Sequence, residues 1–190
     1  MVKYKYKYIK RWFNLNLVGH FSTITKHRHK VISHCKKAGI LWQGLFHDLS
    51  KYTPTEFIRG VKNYNDGIKS PNEKEREQQG YSLAWMHHKG RNRHHFEYWN
   101  DYNPKIRQIA GVKMPINYVK EMFCDRVAAS KIYQGEKYTN QHPYDYFMNG
   151  KPRRTLIHPE TSDLLEGWLK ILADEGEDKV FEVIRNTKEY

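Results

Sequence analysis

The chain has only two cysteines, Cys35 and Cys124, too few for a disulfide framework and without CxxC spacing. Zinc-finger readings therefore fail, and a reducing, cytoplasmic compartment is expected. Long apolar runs are missing as well. No stretch approaches the roughly 20 residues of a membrane span, and the basic opening MVKYKYKYIKRWF leads into neither a signal-type apolar run nor a small-residue cleavage site. No membrane association is expected. Repeats, low-complexity tracts and strand-rich alternation are also absent, which leaves an all-α domain. Acid is missing locally: residues 1–47 hold ten Lys or Arg and no Asp or Glu, whereas residues 156–190 hold nine acids and four bases.

What is present is a 190-residue chain of net charge +12, with 28% charged and 14% aromatic residues. That length buries a core without disulfides and predicts one folded domain. The positive charge suits nucleic acid or phosphates, but a polarised surface explains it as well. Histidine is the uneven element: there are eleven, nine of them at or before position 95.

From about residue 10 the pattern is helical. Ile24, His27, Val31, His34 and Cys35 share one face, closed by Ala38-Gly39; His29 lies about 200° from His27 and is its rival. The Lys-Tyr arm, Lys3 to Tyr8, reads as a solvated terminus. Leu41 to Lys51 predicts a second, apolar helix ending in Phe-His-Asp-Leu-Ser-Lys. Thr53-Pro54-Thr55-Glu56 has the form of a capping box opening a helix that turns Phe57, Ile58, Val61 and Tyr64 inward. Residues 68–80 read as a loop, and Tyr81 to Trp99 as a helix interrupted near Gly90 to Asn92. Pro104 and Gly111 flank a connector, and Met114 to Ile132 predicts an amphipathic helix that sets Asp125 among apolar neighbours. Loops and a short helix follow over 134–158, then helices at about 160–174 and 177–188. Trp42, Trp85 and Trp99 are expected in the core, and His20, His34, His142 and His158 as ordinary histidines.

The residues with chemistry are His27, His47-Asp48, His87-His88, His94-His95 and Asp125. Imidazoles and carboxylates without thiolate suit a borderline-to-hard divalent ion. Adjacent His47 and Asp48 point about 100° apart on a helix, so both reach one centre only where the chain ends or bends, which Ser50 to Pro54 would provide. Glu56 is a candidate acid/base, and Lys51 a candidate phosphate ligand.

In chain order, His27, His47-Asp48 and Asp125 resemble the HD-domain superfamily of metal-dependent phosphohydrolases, whose order is His, His-Asp, late Asp. His-Asp-Leu-Ser-Lys is similar to the His-Asp-Ile-Gly-Lys variant of cyclic-dinucleotide phosphodiesterase relatives. One His from each doublet resembles the intervening ligands of the binuclear branch, which also contains di-iron oxygenases. More narrowly, His88-x-x-x-Asn92-x-His94-His95 and Met114-Pro115 with Glu121-Met122-Phe123-Cys124-Asp125 are similar to a bacterial HD-like family of unassigned function.

The resemblance implies an HD-like helical bundle with its core at roughly residues 20–135 and a small helical extension at 136–190. It implies two divalent ions (iron, manganese, zinc or nickel) bridged by Asp48, with His27, His47 and Asp125 on one and two later histidines on the other. His88 is preferred to His87, and the alternative between His94 and His95 stays open, one of them being a candidate for substrate phosphate. Lys51, Arg91, Asn92 and Arg93 are the candidate substrate contacts. The implied activity is hydrolysis of a phosphorylated metabolite or nucleotide by a metal-activated water; the alternatives are a di-iron oxygenase and an inactive nucleic-acid or nucleotide binding module. Ser50 stands where relatives have Gly and their Gly-Tyr-Pro signature is absent, so cyclic dinucleotides are one candidate substrate among several.

Overall fold

A computed structural model describes the backbone of residues 2–150 and 155–190 and the side chains of 15–150 and 155–190. It is mostly helical, as the sequence predicts. Helix α1 (Val2–Lys37) leads into the one-turn α2 (Leu41–Leu45), a 3-10 turn at Leu49–Tyr52, and α3 (Pro54–Asn63), α4 (Pro71–Gln79) and α5 (Leu83–Lys89). A hairpin of β1 (Asn100–Asn103) and antiparallel β2 (Gln108–Gly111) follows, paired Asn100 to Gly111 and Asn103 to Gln108. Helices α6 (Ile116–Gln134), α7 (Gln141–Gly150), α8 (Pro159–Glu175) and α9 (Glu177–Asn186) complete the described chain.

Helix α1 packs on α2, α3, α6 and α9, and α8 packs on α6, α7 and α9. Between them lies an apolar core of Val31 and Cys35 from α1, Val119, Phe123 and Val127 from α6, Phe147 from α7, Leu165, Trp168 and Leu169 from α8, and Val180 and Ile184 from α9. Residues 136–190 thus supply much of the core.

The differences from the sequence reading have local causes. The expected helix over 41–51 stops after five residues, and the chain turns before the 3-10 segment. Residues 71–79 are a helix rather than a loop: Ser70-Pro71 opens it, Pro having a helix-ready φ, and Gly80 at φ 83° closes it. The expected helix over 81–99 ends at Lys89, so His94 and His95 stand on turns, and the connector is the hairpin. Ile58 and Trp42 are exposed, at 45% and 78%, against the expectation that both lie inside. Helix α6 is not amphipathic toward solvent, because Val119 to Cys124 and Val127-Ala128 are all buried, on every side of the helix. The backbone of the Lys-Tyr arm is helical; its side chains, and residues 151–154 of the expected loop, lie outside the described residues. Among the described residues no helix is long and apolar enough to cross a membrane.

Candidate metal centre

Five segments converge: α1, the 46–48 turn, α5, the turns at 94–95, and α6. The decisive local event is at Asp48, whose backbone is left-handed (φ 54°, ψ 24°). Asp tolerates this region better than most residues, at a cost that surrounding contacts must hold. The bend lies at the Asp itself, not in Ser50 to Pro54 as expected, and it turns the adjacent His47 and Asp48 onto one point. Two contacts with α1 fix that corner. Arg28 donates to the carbonyls of Leu45 and His47, and Gly44 lies so close to Cys35 that a Cβ there would fall 2.5 Å from the Cys35 Cβ.

Asp48 is 2% exposed, and its two oxygens face different imidazoles. Oδ2 lies 3.2 Å from His47 Nε2 and 3.9 Å from His27 Nε2. Oδ1 lies 3.2 Å from His88 Nε2 and 3.5 Å from His94 Nε2. Asp125 closes the first side, with Oδ1 2.9 Å from His27 Nε2 and 3.6 Å from His47 Nε2. His27, His47, Asp48 and Asp125 form one set able to hold an ion, and Asp48, His88, His94 and His95 another. Both His94 and His95 therefore belong, and His29 is exposed and does not.

Close as they are, these atoms are not aligned as hydrogen bonds. Among the described residues, six of the ten buried polar side-chain atoms lacking a hydrogen bond are His27 Nε2, His47 Nε2, both Asp48 oxygens, His94 Nε2 and His95 Nε2. Buried nitrogens and oxygens without partners are costly. Lys51 reaches one of them, Asp48 Oδ2, at 2.6 Å; the convergence of the others from separate segments makes a donor set that could hold divalent ions.

Two carboxylates stand behind the cluster: Glu121, which the sequence reading does not assign, and Glu56, which it gives as a candidate acid/base. Glu121 Oε1 accepts from His47 Nδ1 at 2.7 Å and lies 3.2 Å from His94 Nδ1. Glu56 accepts from His88 Nδ1 at 2.8 Å and from His87 Nδ1 at 2.6 Å. Occupying Nδ1 fixes the tautomer and leaves Nε2 facing the centre. Glu121, His47 and His94 could themselves hold an ion, but that would remove this support. Glu121 lies one helical turn before Asp125, a spacing that would have revealed it. The capping box is corrected: Glu56 faces the histidines, the Thr53 side chain caps nothing, and Thr53 Oγ1 donates to the Ser50 carbonyl instead.

The electrostatics follow. Burial opposes ionisation of Asp48 and Asp125, but the imidazoles, with Lys51 at Asp48, hold both well below the usual carboxylate range. Glu121 is lowered to about 2, its burial outweighed by bonds from His47 and His94. Burial also opposes charge on His47 and His88, yet Asp48 and the other carboxylates around them raise both. His27 is lowered, by burial and then by Lys51, and His95 is lowered by burial and then by His94 and His88.

Lys51 Nζ lies 2.6 Å from Asp48 Oδ2, with its side chain 27% exposed, so it stands at the rim. Asn92 is buried; its amide donates to Ser50 Oγ and the His88 carbonyl, each at 2.8 Å, and so braces the ligand rather than facing outward. Arg91 is exposed and reaches only the His87 carbonyl, and Arg93 lies over the Tyr98 ring near Tyr118. The structure brings neither arginine to the cluster. His20 lies over Gly60 and Phe57. His34 donates to the Cys124 carbonyl and is lowered to about 4 by burial and Lys131. His142 bonds to Thr139, and His158 is the N-cap residue of α8.

Residues 17–171, a span containing every residue of the cluster, match the model of a family of unknown function, DUF5662, and the chain belongs to that family. No curated protein and no solved structure matches it.

Proposed function

We propose that this member of DUF5662 is an HD-type phosphohydrolase that holds two divalent ions across Asp48 and acts on a small phosphorylated metabolite or nucleotide. The observation that carries the reading is the division of Asp48, with Oδ2 toward His27 and His47 and Oδ1 toward His88 and His94. It supports a bridging carboxylate, with Asp125 completing one ion's set and His95 the other's. The absence of thiolate favours zinc, manganese, iron or nickel.

Bound divalent ions would supply Lewis acidity toward a phosphoryl oxygen and acidify a water. The chain itself holds the geometry. Glu121 and Glu56 keep protons on the outer imidazole nitrogens and so direct the inner lone pairs. Lys51 offers an ammonium at the rim, where a substrate phosphate can take a charge-assisted bond. Asp125, its side chain 18% exposed against 2% for Asp48, marks the side from which substrate approaches.

The test is elemental analysis of protein purified without added metal, followed by a phosphoester panel with the metal found. Two ions per chain and phosphoester turnover that Asp48→Asn abolishes are expected. Metal-free wild-type protein would overturn the reading. So would an iron protein with substrate-dependent oxygen uptake and no phosphoester turnover, which is the behaviour of an oxygenase.

A further inference from the structure

A cavity of about 460 Å³ lies where the α1–α2 corner meets the first turn of α6 and the end of α9. Its volume falls within the roughly 300–1,000 Å³ of small-molecule sites. Its charged lining residues are Lys120, Arg185 and Lys188, and no acid lines it. Lys120 is 4% exposed and makes no hydrogen bond or ion pair among the described residues. By contrast, Lys113 and Lys131 each reach a glutamate. The Lys120 stem is enclosed and its ammonium meets no carboxylate among the described residues, so an anion is its complement. The same wall contains Ile116 and Asn117, first-turn residues of the 19-residue α6, whose amides have no acceptor within the helix. Beside them stands Trp42, 78% exposed and without a ring partner among the described residues.

We propose that this cavity binds a nucleotide, its phosphate against Lys120 and the first turn of α6 and its base on the indole of Trp42. Arg185 already donates to the Lys37 carbonyl through Nε and Nη2, at 3.0 and 2.8 Å, so it shapes the wall. Lys188, exposed at the mouth, adds charge. None of the metal-cluster histidines or aspartates lines the cavity, so the proposal does not depend on the hydrolase reading.

The test is calorimetric titration of the full chain with adenosine monophosphate, with inorganic phosphate and adenosine as separate arms. Chelator is present throughout, so that no ion at the cluster holds phosphate. Saturable binding of the monophosphate at one site is expected, weakened about tenfold or more by Lys120→Met and several-fold by Lys188→Gln. Trp42→Ala should weaken the monophosphate several-fold and leave inorganic phosphate unchanged. Asp48→Asn should bind like wild type. Lys120→Met keeps the stem and packs as an apolar residue; if it does not fold, Lys188→Gln and Trp42→Ala, both at exposed positions, decide the question. Three results would overturn the proposal: no saturable binding, affinity unchanged in the pocket variants, or inorganic phosphate bound as tightly as the monophosphate and no effect of Trp42→Ala.

Discussion

Helix α6 is buried on two sides, and the two sides differ in kind. Toward α8 and α9 it presents Phe123, edge-on to Trp168 and Phe181, with Val127 in the same apolar cluster as Leu169. Toward α1 and the 46–48 turn it presents the buried Glu121, which accepts from His47 Nδ1, and the partly buried Asp125, which faces His27 Nε2 and His47 Nε2, nitrogens without aligned partners. Burial alone does not separate a core from a site. What separates them is whether the buried atoms are satisfied: the apolar side is complete as the chain folds, whereas the polar side keeps inward-facing nitrogens and oxygens without aligned hydrogen bonds, a set that could hold metal ions.

The largest expected effect breaks the polar side alone. Asp48→Asn keeps a residue tolerant of the left-handed backbone but removes the shared charge, so both ions should be lost by elemental analysis while the protein stays folded. Trp168→Ala breaks the other side: it should cost about 3–5 kcal/mol in denaturant unfolding and leave the metal content of the folded fraction unchanged. If Trp168→Ala also strips metal, the two sides are one cooperative unit and the comparison fails. Glu121→Gln is subtler. It keeps the shape but weakens the hold on His47 and His94, so metal affinity should fall roughly 10–100-fold, read by competition with a chelating dye. Gly44→Ala sits where both sides meet; overpacking against Cys35 should cost about 1–3 kcal/mol and loosen metal binding slightly.

Acidity offers a fifth, smaller test. In chelated protein, His47 and His88 are raised above their ordinary value of about 6.5, so their ion pairs contribute fully below that pH and fade as pH rises through the raised values. Glu121 works the other way, its contribution present above its ordinary value and lost only as pH falls toward about 2. As pH rises above about 6.5 the contribution of His47 and His88 to the stability of chelated protein should therefore fall, while His27 and His95, whose charging burial opposes, act the other way up to that value. The fall is read as a narrowing, between pH 6 and pH 9, of the melting-temperature gap between wild type and Glu121→Gln. Metal affinity should rise over the same interval, because an ion must displace those protons. A gap equally large at both values would mean that His47 is not held by Glu121.

Much of this was legible in the chain. The order His27, His47-Asp48, Asp125 survives folding because each residue sits where a helix face or a turn must place it, and α8 and α9 stand within two residues of the expected bounds. Of the two supporting carboxylates, Glu121 was legible from its place one turn before Asp125 though not assigned, and Glu56 carried only a candidate acid/base role. Glu56 satisfies a capping-box pattern, and only the fold reveals that its carboxylate reaches His87 and His88 on α5 instead. The left-handed backbone of Asp48 was hidden too, since Asp favours that region only weakly and Ser50 to Pro54 gave a more obvious bend. Trp42 looked like core by composition, yet it stands exposed beside a basic cavity. Sequence patterns register what a segment does locally; they do not register a partner supplied by another segment.

The central claim is that Asp48 joins two distinct ion sites, and metal stoichiometry in wild type, His27→Ala and His88→Ala tests it most directly. The account predicts two ions per chain in wild type and one in each variant. A single ion in wild type, retained in His88→Ala, would contradict it.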